Sequence, residues 1–280
     1  MPVEVMLAVL IGALLHAGWN AAVKAAGDKF LEAVLVTAGA AAIAAAILPF
    51  LPRPDPASWA FIAASVAVHV VYFSLLAAAY QAGDMGYAYP LMRGTAPLLV
   101  ALASLSVLGE RLSPAAWAGT LLICCGVLAL ALVQRHSRRP MRTPTAYALA
   151  NALVIACYTF VDGAGVRASG SPVAYTLWIF LLCAIPLLVW AAVRRPLSLG
   201  RHVRERWLLG LGGGAASIAS YALALWAMTR APVAPVAALR ETSIIFGVAL
   251  AGIVLKEPFG VWRPLAAATV VIGAATLRLA

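Results

Sequence analysis

Apolar runs of about 20 residues follow one another along almost the whole chain, and this repetition restricts the fold more than any other feature. Each run has the length of a helix that crosses the hydrocarbon core of a bilayer. Hydrophobic residues occupy 64% of the 280 positions, and charged residues occupy only 11%. A soluble protein of this size needs many more polar side chains to cover its surface. The sequence therefore predicts an all-α integral membrane protein.

The runs predict ten transmembrane helices joined mostly by short links, which leave no room for a domain outside the bilayer. The first five predicted spans are 3–23, 31–50, 59–79, 86–108 and 114–133. The second five are 145–161, 173–193, 207–228, 232–255 and 261–279.

A polar segment at the midpoint divides the chain into two halves of five spans. We assign 1–133 to a first five-helix repeat, 134–144 to a basic cytoplasmic linker and 145–280 to a second repeat. An offset of 147 residues places Arg93 and Glu110 on Arg240 and Glu257. Because each half has an odd number of spans, the two repeats are predicted to have inverted topologies, an arrangement typical of secondary transporters.

The distribution of basic residues predicts the orientation of the chain. Most of the 20 Lys and Arg residues lie in the links after the odd-numbered spans, including the clusters at 135–142 and 194–206. Cytoplasmic loops carry an excess of Lys and Arg. We therefore predict a protein of the cell (inner) membrane with both termini on the side opposite the cytoplasm. We interpret both clusters as determinants of topology, and we expect no nucleic-acid partner.

Ionisable side chains within the spans are the main candidates for function, because each costs ~2.5 to 3.5 kcal/mol near the bilayer centre. Arg93 lies in span 4 and Arg240 in span 9, which begin on opposite sides of the membrane. We predict that both face one central cavity and that at least one binds an anionic group of the substrate. The alternative is that they bond carbonyls that nearby prolines leave free.

Two carboxylates are candidates for proton coupling. Glu241 follows Arg240, whereas Gly94 holds the equivalent place in the first half. Glu241 either takes part in proton coupling and substrate binding or neutralises one of the two arginines. Asp162 in span 6 is the second candidate for coupling.

Further polar and aromatic residues in the spans are candidates for substrate binding. They share positions on helix faces that would line a central cavity: His16, Trp19, Asn20, His69, Tyr72, Tyr89, Tyr158 and Tyr221. The alternative is that such side chains bond the backbone of their own or a neighbouring helix.

The sequence contains no pattern that indicates a cofactor, a metal site or an enzyme. The 4 cysteines lie in apolar runs without His or acidic partners at metal-ligand spacing. There is no Walker-type phosphate loop, and neither Gly-x-Ser-x-Gly nor His-Glu-x-x-His occurs.

Several segments resemble the ten-helix transporters of the drug/metabolite transporter superfamily that carry EamA-type repeats. The resemblance covers nearly the whole chain and rests on residues 13–20, 89–97, 108–111, 158–163 and 239–242. It implies a two-repeat bundle that moves small metabolites through a cavity lined largely by spans 3, 4, 8 and 9.

We therefore predict a secondary membrane transporter, an exporter or permease, that carries a small polar or amphipathic metabolite by alternating access. It would work in the lipid bilayer as a monomer or homodimer. The alternative function is a flippase for a lipid-linked sugar or another amphipathic lipid, which would need a groove open sideways to lipid.

Overall fold

The computed structural model describes residues 1–83, 85–133, 142–194, 196–247, 249 and 262–280, and these ranges contain helices but no strand. The helices are α1 (Val3–Ala25), α2 (Lys29–Ile47), α3 (Trp59–Ala82), α4 (Met85–Leu108), α5 (Pro114–Val133), α6 (Arg142–Ala168), α7 (Pro172–Arg194), α8 (Pro196–Met228), α9 (Val233–Arg240) and α10 (Trp262–Arg278). Two 3-10 turns, Leu48–Phe50 and Pro56–Ser58, lie between α2 and α3.

The helices α1 to α8 are each long and apolar enough to cross a membrane. Their outer faces expose large apolar side chains such as Leu7, Leu102 and Val189, which suit contact with lipid. Within such helices the backbone hydrogen bonds are satisfied internally, as an environment without water requires. The all-helical membrane architecture is therefore as predicted.

Local sequence signals explain where helices begin. The Asp28 carboxylate accepts hydrogen bonds from the backbone amides of Phe30 and Leu31 at the start of α2. The Ser113 hydroxyl accepts one from the Ala116 amide at 3.1 Å, and Pro114 is the first residue of α5. Side-chain acceptors of this kind satisfy amides that have no partner within the helix.

Small residues allow the closest helix contacts. A Cβ atom on Gly119 or Gly273 would collide with the other helix of the α5–α10 pair, and one on Gly39 would collide with the Gly210 carbonyl of α8. Lipid is as apolar as the helix surfaces, so the hydrophobic effect does not draw helices together within a membrane. Small residues let the backbones approach closely, and the resulting van der Waals contacts stabilise the helix pairs. The short α9 packs against α1, α4, α5 and α8, so it lies inside the bundle.

The predicted ninth span is not one continuous helix. Helix α9 ends at Arg240, Glu241 and Thr242 form a turn, and helical structure resumes at 243–247. The amides of Glu241 and Thr242 donate to carbonyls three residues earlier, and the Thr242 hydroxyl also bonds the Leu239 carbonyl. These tight contacts replace the α-helical ladder at this point. The rest of the predicted span, including 250–255, lies outside the described residues, as do Glu257 and 134–141 of the linker.

Two of the predicted spans, the sixth and the eighth, are much shorter than the helices observed. Helix α6 begins at Arg142, inside the predicted linker, and continues to Ala168 rather than to residue 161. Helix α8 begins at Pro196 and bends at Arg206, whose φ of −131° and ψ of 15° are not helical. The bend is held by Glu32 of α2, whose carboxylate lies 2.8 Å from Arg206 Nε and 3.1 Å from His202 Nε2.

Another ion pair joins three segments at one end of the bundle. Arg167 at the end of α6 donates to the Glu110 carboxylate at 2.6 Å and to the Met228 carbonyl at 2.7 Å. The other Glu110 oxygen accepts from the Val233 amide at 2.9 Å. Glu110 therefore fixes the start of α9 relative to α6 and α8.

The predicted orientation is tested with reporters in a bacterial host. With both termini outside, a phosphatase fused after Ala280 should be active and a fluorescent protein fused there should be dark. The same reporters fused after Gly27, in the link after α1, should give the reverse pattern. An active cytoplasmic reporter after Ala280 would contradict the orientation.

Candidate functional site

A small cavity lies between α4, α6 and the end of α9. Ten of the described residues line it: Arg93, Ala96, Pro97, Val100, Ile155, Tyr158, Thr159, Ala237, Arg240 and Glu241. Both intramembrane arginines thus lie in the wall of one cavity. Helix α6 provides a wall that the family resemblance did not assign, and the ten residues include none from α3 or α8.

Arg93 and Glu241 form a buried ion pair across this cavity. Arg93 Nε donates to Glu241 Oε2 at 2.8 Å, and each side chain is only 5% exposed. The pair joins α4 to the turn that follows α9. The geometry therefore allows Glu241 to neutralise Arg93, which is one of the roles that the sequence left open.

Arg240 is held differently. Its guanidinium carbon lies 5.0 Å from the centre of the Tyr221 ring, which is the arrangement of a cation–π contact. Across the described part of the chain, it forms no ion pair with a carboxylate within 4 Å. The cavity wall therefore contains two guanidinium groups and one carboxylate.

Asp162 lies outside the cavity wall and is fully buried. The Tyr175 hydroxyl donates to one of its carboxylate oxygens at 3.1 Å, and the Tyr221 hydroxyl donates to the other. These bonds join α6, α7 and α8. Tyr221 thus contacts Asp162 through its hydroxyl and Arg240 through its ring.

Four of the predicted binding residues form an aromatic cluster beside the cavity. The rings of His69 and Tyr158 stack with centres 4.5 Å apart, and Tyr72 meets the edge of Tyr158 at 5.8 Å. Tyr221 meets His69 at 6.3 Å. His69 Nδ1 lies 2.8 Å from the Ser65 carbonyl of its own helix. Of these four side chains, Tyr158 also lines the cavity.

The predicted residues of span 1 make mostly local contacts. His16 and Trp19 meet edge to face at 5.3 Å, and Asn20 donates to the His16 carbonyl at 2.7 Å. Tyr89 is half-buried on α4, about one turn before Arg93. The ten cavity-lining residues do not include these four.

Thr159 lines the cavity although the sequence did not predict it, and Asn151 is a further buried polar residue of α6. Asn151 is fully buried, its amide nitrogen contacts the sulfur of Met92 at 3.4 Å, and its amide oxygen has no partner among the described residues. The spacing of seven residues between Asn151 and Tyr158 was the available signal for a common polar face. Within the same described ranges, no cluster of His, Cys, Asp and Glu could hold a metal ion.

The buried pair makes a clear stability prediction. Arg93→Met leaves the Glu241 carboxylate without its bonded partner, so the free energy of unfolding should fall by about 3–5 kcal/mol. Arg93→Met combined with Glu241→Met removes both charges and should recover part of that loss. Thermal and denaturant unfolding in detergent measure both effects.

Arg240→Met is the matched control, because it removes a guanidinium that has no bonded carboxylate and should cost less stability. Equal losses for Arg93→Met and Arg240→Met, or a double variant as unstable as the sum of its single changes, would contradict the pairing.

Known proteins resemble this chain in architecture or in part of its sequence. A solved structure described only as the crystal structure of a protein superimposes with a TM-score of 0.76 and 23% identity, covering 100% of this chain and 98% of that one. The multidrug transporter PA4990 of Pseudomonas aeruginosa is 38% identical over 69 residues. That match covers 25% of this chain and 63% of the relative's length.

The family match extends through both halves of the chain. Residues 4–132 and 143–279 each match the EamA-like transporter family, leaving between them only the polar linker and the start of α6. Eight long apolar helices and a buried, charged central cavity agree with this assignment. The chain is therefore a member of the EamA-like transporter family of membrane proteins.

Proposed function

We propose that this transporter carries a small amphipathic monoanion, such as a monocarboxylate, across the inner membrane by alternating access. The observation that carries the proposal is the charge of the cavity wall. Arg93 and Glu241 neutralise each other, and Arg240 remains without a bonded carboxylate in the part of the chain that the structure describes. A single anionic group on the substrate would balance that charge.

The chemistry of the guanidinium favours a carboxylate. Arg presents a planar set of N–H donors that binds a carboxylate through two parallel hydrogen bonds, and it stays charged at every physiological pH. Arg240 is also only partly buried, so it is accessible from the cavity side. The Arg240 guanidinium therefore offers a substrate carboxylate both a fixed positive charge and a matching pair of N–H donors.

The remainder of the wall favours an apolar body on the substrate. Pro97, Val100 and Ile155 contribute aliphatic surface, and Tyr158 adds an aromatic ring. Burying such surface on a ligand stabilises binding in proportion to the apolar area. The small size of the cavity favours a small substrate.

Alternating access is supported by the break at Glu241. In many carriers, discontinuous helices lie at the substrate site near the midplane, between two repeats that exchange conformations. Here the end of α9 carries Arg240, and the following turn carries Glu241. If Glu241 exchanged Arg93 for another partner, the end of α9 next to it would move.

The proposal is tested with three ligands of equal chain length and different charge: hexanoate, hexanamide and hexylammonium. Hexanoate should raise the thermal transition of the purified protein most, and hexylammonium least, because a ligand that binds the folded state stabilises it. In Arg240→Lys, about ten times more hexanoate should be needed for the same rise in the thermal transition, since Lys lacks the planar donor pair.

Arg278→Lys is a control at an exposed arginine away from the cavity and should leave the response unchanged. Uptake of labelled hexanoate into vesicles that contain the reconstituted protein then tests transport itself. Equal stabilisation by hexanoate and hexanamide, or an unchanged response in Arg240→Lys, would overturn the assignment of Arg240 as the anion site.

We also propose that transport is coupled to protons through Glu241 or Asp162. Arg93 and Arg240 face Glu241, whereas Tyr175, Tyr221 and His69 face Asp162. Transport should depend on pH in the native chain and should lose that dependence in Glu241→Gln or Asp162→Asn. Full pH dependence in both variants would remove both carboxylates from the coupling mechanism.

A further inference from the structure

We infer that Tyr221 is a positioning residue, which joins Arg240 to Asp162 and holds the guanidinium with its hydrogen-bond donors directed to the substrate anion. The inference rests on the proposed anion site at Arg240. It assigns to Tyr221 a role different from direct contact with the substrate.

Tyr221 lies between two opposite charges. Its ring face supports the Arg240 guanidinium, with 5.0 Å between the guanidinium carbon and the ring centre. Its hydroxyl donates to the Asp162 carboxylate, which belongs to another helix. The cation and the anion are therefore joined through one side chain without touching each other.

Within the described ranges, no hydrogen bond or ion pair occupies the N–H donors of Arg240. A cation–π contact does not use a hydrogen-bond acceptor, so it leaves the five N–H donors of the guanidinium available. Asp162 bonds the Tyr221 hydroxyl and does not occupy any N–H group of Arg240. Arg93 contrasts with this, because its Nε donor is already bonded to Glu241 at 2.8 Å.

The ring of Tyr221 is fixed from several sides. Phe180 of α7 meets it edge to face at 6.1 Å, and His69 of α3 does so at 6.3 Å. The position of Arg240 thus depends on α3, α6, α7 and α8, which provide none of the charge that we expect to bind the substrate.

Two tyrosines bond the same carboxylate, and they provide a matched pair of variants. Tyr221→Phe keeps the ring below Arg240 but removes its bond to Asp162. Tyr175→Phe removes the other bond to Asp162 and leaves the Tyr221 bond in place. Both changes delete one hydroxyl from the same buried cluster, so their effects on folding should be similar.

The experiment measures the dissociation constant of hexanoate for the purified full-length protein, from the dependence of its thermal transition on hexanoate concentration. Tyr221→Phe should weaken hexanoate binding three- to tenfold, whereas Tyr175→Phe should change it less than twofold. Asp162→Ala should weaken binding to the same extent as Tyr221→Phe, and the double variant should show no additional loss, because both act through one contact.

Equal effects of Tyr221→Phe and Tyr175→Phe on hexanoate binding would overturn the inference, as would additive effects of Tyr221→Phe and Asp162→Ala. Binding unchanged in Tyr221→Phe would also overturn it. The proposed function fails separately: in that case Arg240→Lys would leave hexanoate binding unchanged. A loss in Arg240→Lys without a loss in Tyr221→Phe would retain the anion site and remove only the role of Tyr221.

Discussion

The buried pair of Arg93 and Glu241 is the interaction on which the rest of the site depends. A charge within a membrane span is costly unless it has a partner, and a broken pair leaves an uncompensated ion in a medium of low dielectric constant. The 2.8 Å contact joins α4 to the turn after α9, so it fixes both the break in that span and the position of Arg240 next to it. Helix α9 lies inside the bundle because this pair and the Glu110–Val233 contact hold it at its two ends.

Charge balance then separates the roles of the two arginines. Arg93 is neutralised by a carboxylate that bonds it directly, and it helps to hold the structure together. Arg240 is supported by the ring face of Tyr221, whose hydroxyl bonds Asp162, and no carboxylate of the described residues bonds Arg240 directly. An ion held in this way keeps its hydrogen-bonding edge, which is what a binding site for an anion requires.

Composition and periodicity predicted the fold class and most helices, because the lipid requires apolar runs of a fixed length. The same reasoning identified Arg93, Arg240 and Glu241, since an ionisable residue in such a run is rare. It did not predict the turn at Glu241 and Thr242, because no proline or glycine marks it and the local hydrogen bonds of Thr242 become visible only in the structure. It did not decide whether Arg93 or Arg240 is the partner of Glu241, because contacts between helices depend on packing rather than on spacing along one chain.

The difference between the two halves follows from one glycine. An offset of 147 residues places Gly94 at the position of Glu241, so the first half has an arginine without an adjacent carboxylate. Gly94 packs against α5, and a Cβ atom there would lie 2.8 Å from Leu128 Cγ. A side chain in that place would require Leu128 to move, so the close packing of α4 and α5 disfavours a second carboxylate in the cavity wall. The wall therefore keeps two guanidinium groups and one carboxylate, and we propose that the resulting single positive charge selects an anion.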